Sequence, residues 1–314
     1  MDICGYRKLQ SRILFSEDGQ VPETPLCLDD REQDALFDRL SRCWDLVETC
    51  PITGGTLAAR PTPTSTEKWS GLKRWFQSHH LFISELALTG HCLAEAVRQS
   101  STDPHQAKLW ANLASRLRKG CGALFLYGID FQPCSEIYCD AIRSSMPPAF
   151  SGFWIRERQQ GFQPALVRFL RTFSLDTADK FNSSPANNWT IADERYHKLH
   201  LDSMYAAVPD GKSLASQYRQ ETGKPHRIKD EEFRQYDSWF CIDRSAGVDR
   251  LDYVFQSCDL IERAVADLMT GHRLEPSVVM DLLGGLKAAI VVFGEWAGPV
   301  PERSKFYPKC LRGE

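Results

Sequence analysis

Trp75–Phe76–Gln77–Ser78–His79–His80–Leu81–Phe82–Ile83 is the stretch whose reading decides the fold. Around it Leu72, Trp75, Phe76, Phe82, Ile83, Leu86, Leu93 and Ala96 recur at three- and four-residue spacing, the period of a helix with a buried face. Ser65 or Thr66 supplies an N-cap and Glu67 a favourable first-turn charge, so a long helix is expected. Trp75, His79, Phe82 and Leu86 share one face of it, which turns at least one of the paired imidazoles into the apolar interior. There it either bonds a backbone carbonyl, as an ordinary core histidine does, or serves chemistry.

Working outward, the helical period returns over about 105–127, 132–145, 163–182, 186–207, 229–241, 247–270 and 276–296, while alternating segments long enough for strands are nearly absent. The expected fold is all-α. The first 30 residues mix Pro, Gly and charges and read as an irregular arm; they end at Leu28–Asp29–Asp30, where an aspartate caps a helix running through Leu40 to about Glu48. Residues 51–66 carry Pro51, Gly54, Gly55, Pro61 and Pro63 and read as a surface loop. The organisation expected is an arm over 1–30 and a single helical catalytic domain over 31–314.

Charge and cysteine usage remove several function classes. With 38 basic and 41 acidic residues the net charge is −3, so no polycationic face exists for a phosphate backbone and nucleic acid is not an expected partner. Eleven scattered cysteines, with no Cys-x-x-Cys and no secretory leader, read as reduced thiols in a cytoplasm. No uninterrupted apolar run reaches the roughly 18–20 residues of a membrane helix, so a soluble, cytoplasmic protein is expected.

Two further stretches carry chemistry. On the helix expected over 186–207, capped by Asn187 or Asn188, Tyr196, His200 and Met204 stand at i, i+4 and i+8 on one face. His197 and His200, three apart, form a metal-chelating pair only in principle, since a helix-borne zinc pair favours His-x-x-x-His with a glutamate inside it. The third stretch is Ile142–Arg143–Ser144–Ser145–Met146–Pro147–Pro148–Ala149–Phe150–Ser151–Gly152–Phe153. Arg143 either pairs with Asp140 or Glu157 or holds an anionic substrate, and Ser151–Gly152 is either a plain turn or part of a site. His91, His105, His226 and His272 carry no motif and are expected at the surface or at caps. A heme needs a strong axial nitrogen, a flat apolar slot and a polar group on its far face; two histidines on separate apolar helices could meet these demands, although Met and aromatic stripes at helical spacing are usually ordinary core.

These three stretches, in their order along the chain, resemble the tryptophan 2,3-dioxygenase superfamily of heme-dependent aromatic oxygenases, and within it the branch of heme-dependent tyrosine hydroxylases. The resemblance implies an all-α heme-binding domain. Ser78–His79–His80–Leu81–Phe82 is similar to the family's His-Gln segment, with His80 in the Gln place, which makes His79 the distal catalytic residue. The segment over 142–153 is similar to the family's Phe-Arg-x-x-Leu-x-Pro-Ala-Ser-Gly-Phe, which gives Arg143 and Ser151 to the substrate and Gly152 to the heme. Tyr196, His200 and Met204 match the proximal pattern, which makes His200 the axial iron ligand, with Phe76, Tyr196 and Met204 beside the cofactor.

Two departures refine the expectation. Val208–Pro209–Asp210–Gly211–Lys212–Ser213–Leu214 is a short turn where the dioxygenases carry a Gly- and Thr-rich loop, which argues against tryptophan ring opening. Position 204 is Met where one relative attaches heme through cysteine, so non-covalent heme b is expected. The implied activity is hydroxylation of L-tyrosine, or a ring-substituted tyrosine, at its 3-position by hydrogen peroxide, giving a catechol for natural-product biosynthesis. The implied assembly is a homodimer, with no membrane partner. A heme-dependent indole or tryptophan oxygenase and a non-catalytic helical binding protein are the alternatives.

Overall fold

The structure is a computed structural model that describes residues 13–16, 26, 28–53, 65–131, 142–143, 162–173, 184–208, 219–224, 230–245 and 249–297. Among them the fold is all-α apart from one small pair of strands. Helix α1 (Asp30–Thr49) starts at Asp29, whose carboxylate accepts from the Glu32 amide at 2.8 Å while Glu32 accepts from the Asp29 amide at 3.0 Å. The aspartate cap is as expected from the sequence, and the reciprocal bond from Glu32 adds a second satisfied donor. Helix α2 (Ser65–Gln99) is the long helix of the opening stretch, and α3 (Pro104–Ile129) returns along it after a tight turn capped by Asp103.

Helix α3 is the hub. Helices α2, α5 (Pro185–Ala207) and α8 (Pro276–Trp296) all pack along it, while α4 (Phe162–Phe173) lies against α2 and α5. Helices α1 and α7 (Arg250–Thr270) close the opposite side, α1 packing on both α7 and α8. Helix α8 has the length and apolar composition of a membrane span, yet most of it is buried as a core helix. Two glycines of α3 allow close approach by α2 and α5: a β-carbon at Gly128 would lie 2.3 Å from Ser78 Oγ, and one at Gly122 would lie 2.9 Å from Tyr196 Cα. Neither distance admits a side chain, so glycine at these positions lets α2 and α5 seat on α3.

Several expectations need correction or fall outside the described residues. Helix α5 is capped by Ser184, which accepts from the Asn187 amide at 3.2 Å, with Pro185 at the first helical position; Asn187 and Asn188 lie inside the helix. Ser65 is itself helical. Within the N-terminal arm, β1 (Ile13–Ser16) pairs in parallel with β2 (Ile242–Ser245), which follows α6 (Asp230–Trp239). Four-residue strands are too short to give alternation a signal. The helix expected over 163–182 is seen through Phe173, and its remainder lies outside the described residues, as does most of 132–145.

Candidate functional site

His79 sits at the middle of α2, one helical turn after Trp75. Its Nδ1–H donates to the Trp75 carbonyl at 2.8 Å, and a carbonyl only accepts, so in the neutral imidazole Nε2 carries the lone pair. The ring lies between two aromatics: Trp75, tilted with centroids 4.3 Å apart, and Phe240, stacked at 4.3 Å. His80 points elsewhere. It is buried and its Nε2–H donates to the Phe240 carbonyl at 2.7 Å, the arrangement of a satisfied core histidine. Phe76 is buried, stacked on Trp239 at 5.3 Å and edge-on to Phe240.

His200 sits on α5, half-buried, with its ring 4.8 Å from Phe125 of α3. Phe125 in turn meets Phe82 of α2 at 5.1 Å, so the hub helix carries an aromatic bridge from the His79 helix to the His200 helix. Helices α2 and α5 each pack on α3 rather than along each other. Burial, with a smaller repulsion from His197, lowers the His200 pKa from the ordinary 6.5 to about 4. At neutral pH the imidazole is uncharged and keeps one unprotonated nitrogen, the atom that a metal takes. Met204, one turn on, is half-buried.

Behind His200 a charged group holds α5 in place. Arg118 of α3 is 2% exposed, pairs with Asp193 at 2.7 Å and lays its guanidinium 3.5 Å from the centroid of the Tyr196 ring, with Phe162 at 5.0 Å. Tyr196 therefore has Arg118 against its ring and Phe125 at 5.6 Å. Asp193 also reaches His197 Nε2 at 3.5 Å, which places His197 behind the helix face, partly exposed. Among the described residues no group of three or more His, Cys, Asp or Glu side chains stands close enough for a metal ion, so His197 and His200 are not part of such a cluster. Arg118 carried no signal in the sequence, because a lone arginine in a helix reads as solvent-facing until its acidic partner is placed.

Arg143 is half-buried beside the fully buried Ile142; Ser151 and Gly152 lie outside the described residues. The segment that carries Arg143 leaves α3 at a tightly bonded corner. Arg74 pairs with Asp130 at 3.2 Å and with Asp267, and donates to the Gly271 carbonyl at 2.9 Å. The Tyr127 hydroxyl donates to Asp267 at 3.0 Å, and the Arg273 amide donates to Asp130 at 3.0 Å. His272, in the same loop, is 2% exposed rather than at the surface or a cap as expected, and among the described residues neither ring nitrogen has a hydrogen-bond partner. Of the other motif-free histidines, His105 is exposed and His91 accepts from Trp296 Nε1–H at 3.2 Å. Among the described residues Cys43, Cys50, Cys92 and Cys258 are buried free cysteines.

The profile of the SfmD 3-methyl-L-tyrosine peroxygenase family matches residues 19–178, a span that contains His79, Arg143, Ser151 and Gly152 but ends before His200. No individual curated protein matches the chain. A match over half of the chain, on the all-α architecture expected from its helical periods, is enough to place it. The chain belongs to the SfmD 3-methyl-L-tyrosine peroxygenase family and is an oxidoreductase of the peroxide-using class.

Proposed function

We propose that this protein is a heme-dependent aromatic hydroxylase that converts L-tyrosine, or a ring-substituted tyrosine such as 3-methyl-L-tyrosine, to its catechol with hydrogen peroxide, as a step in natural-product biosynthesis. The family match carries this reading. Two features of the site fit heme b. His200 is neutral at working pH and half-buried against an aromatic wall, and Met at position 204 leaves no thiol there for covalent attachment. His200 is the axial ligand, with Phe76, Gly152, Tyr196 and Met204 around the cofactor.

Bound heme supplies the iron at which peroxide is activated for oxygen transfer. His79 takes a proton from one peroxide oxygen at Nε2 and returns it to the other, which makes water the leaving group. The Nδ1–H bond to the Trp75 carbonyl fixes the tautomer this requires. Arg143 clamps the substrate carboxylate and Ser151 contributes a hydroxyl beside it, so the ring is presented in one orientation. The apolar surroundings exclude water that would quench the oxidant. The protein works in the cytoplasm as a homodimer.

The reading is tested by substrate turnover in the heme-supplied protein. Product mass spectrometry is expected to show L-tyrosine or 3-methyl-L-tyrosine gaining one oxygen only when peroxide is added. Arg143→Leu should raise the KM for L-tyrosine about 10- to 100-fold, the worth of one charge-assisted contact, yet leave turnover of tyramine, which lacks the carboxylate, unchanged. Equal losses on both substrates would assign Arg143 a structural role, and oxidation of tryptophan without peroxide would assign the chain to the indole oxygenases instead.

A further inference from the structure

The turn that ends α6 lies beyond the family-matched residues, yet it reaches the centre of α2. Phe240 is fully buried, and its amide closes the last helical turn on the Tyr236 carbonyl at 3.0 Å. Cys241 then turns left-handed with φ 57°, a conformation that only a few per cent of non-glycine residues adopt. This reversal ends the helix and starts β2, whose backbone pairs with β1. It leaves the Phe240 carbonyl on His80 Nε2–H at 2.7 Å and the Phe240 ring on the His79 ring at 4.3 Å, 19° from parallel. Tyr236, Trp239 and Phe76 pack around Phe240 with ring centroids 4.7, 4.7 and 5.9 Å away, so its ring is itself held.

We propose that Phe240 is a positioning residue for the peroxygenase reaction: it clamps the His79 imidazole against Trp75 so that the unprotonated Nε2 is held in one place. The ring of His79 has two torsions to fix. The hydrogen bond from Nδ1 to the Trp75 carbonyl restrains where the ring edge lies, and the two flanking aromatic faces restrain its tilt. Without Phe240 one face opens, and the imidazole is free to swing about the remaining bond. Proton transfer is steeply sensitive to such displacement, because donor and acceptor must come within hydrogen-bond reach. The inference rests on the proposed role of His79 as the proton carrier.

The test compares the heme-supplied parent with Phe240→Leu and Phe240→Met, which keep an apolar side chain but lose the flat ring, and with Phe240→Tyr, which keeps it. Thermal melting first selects a ring-less variant that folds as the parent does. The proposal expects that variant to lose about tenfold or more in kcat/KM for hydrogen peroxide with the KM for L-tyrosine unchanged, and Phe240→Tyr to restore the rate. It also expects faster carbethoxylation of His79 by diethyl pyrocarbonate, read by peptide mass spectrometry, a signal that does not depend on heme or turnover. A parent-like labelling rate, with or without lost activity, overturns the proposal. Faster labelling beside a parent-like peroxide rate in both the ring-less variant and His79→Gln upholds the clamp and instead overturns His79 as the proton carrier.

Discussion

Glu85 lies on α2 with its carboxyl at the crossing of three helices, against Gly120 of α3 and Gly285 of α8, and is 1% exposed. Burial drives its pKa well above the carboxylate range, only partly offset by the Cys121 thiol. The folded state therefore holds a proton that the unfolded chain has released, and this contribution to stability is present at low pH and lost as pH rises above the ordinary carboxylate pKa. Urea unfolding should show Glu85→Gln gaining on the parent between pH 5 and pH 8; a pH-independent difference would contradict this. His200 acts in the opposite direction. Its folded pKa of about 4 lies below the ordinary 6.5, so the protein before heme is supplied should lose stability as pH falls through that window, by roughly 3 kcal/mol in full. His200→Gln should abolish that loss, again by urea unfolding. At this scale the sequence was legible for the buried helix face around His79 and His80, of which His80 is the imidazole that is buried. It was not legible for Glu85, Arg118 or His272, because polar residues are mostly exposed and only the packed partners reveal the exceptions.

The position of α5 follows from contacts spread along the element. Gly122 admits the Tyr196 backbone, Arg118 pairs with Asp193, and Ser184 caps the start. Gly122→Ala places a methyl 2.9 Å from backbone that cannot rotate away, so a cost of about 1–3 kcal/mol is expected. Arg118→Ala removes the guanidinium from Asp193 and from the Tyr196 ring and should cost about 1–3 kcal/mol. Chemical denaturation checks both, and a loss below about 0.5 kcal/mol for either, the range of ordinary surface substitutions, would contradict the account. Helical period located most of these elements to within a residue or two, because each buries one stripe against a neighbour. The cap of α5 was misplaced because Asn187 and Asn188 compete with Ser184 as side-chain acceptors, and only Pro185, fitted to a first helical turn, tells them apart. The strand pair escaped because its partners are far apart in the chain and four residues long.

For the whole molecule, the hub arrangement means that elements distant in the chain share one packing partner, α3. The long helix with His79, the helix with His200 and the corner from which the Arg143 segment departs all meet α3, so order along the chain does not dictate order in space. The proposed homodimer is checked by light scattering, where a mass near twice 35.7 kDa is expected and the mass of one chain would overturn it. The all-α class was legible from composition and period alone. The clamp on His79 was not, since Phe240 stands 161 residues downstream in a segment without a motif, and only folding joins the two. The central claim, that His200 holds a heme iron in a peroxide-using hydroxylase, is tested most directly by the visible absorption spectrum of the heme-supplied protein beside His200→Ala, followed by addition of L-tyrosine and hydrogen peroxide to both. The account predicts a histidine-ligated Soret band that shifts or disappears in the variant, with catechol formed by the parent alone; an unchanged band in His200→Ala, or a parent that takes up no heme, would contradict it.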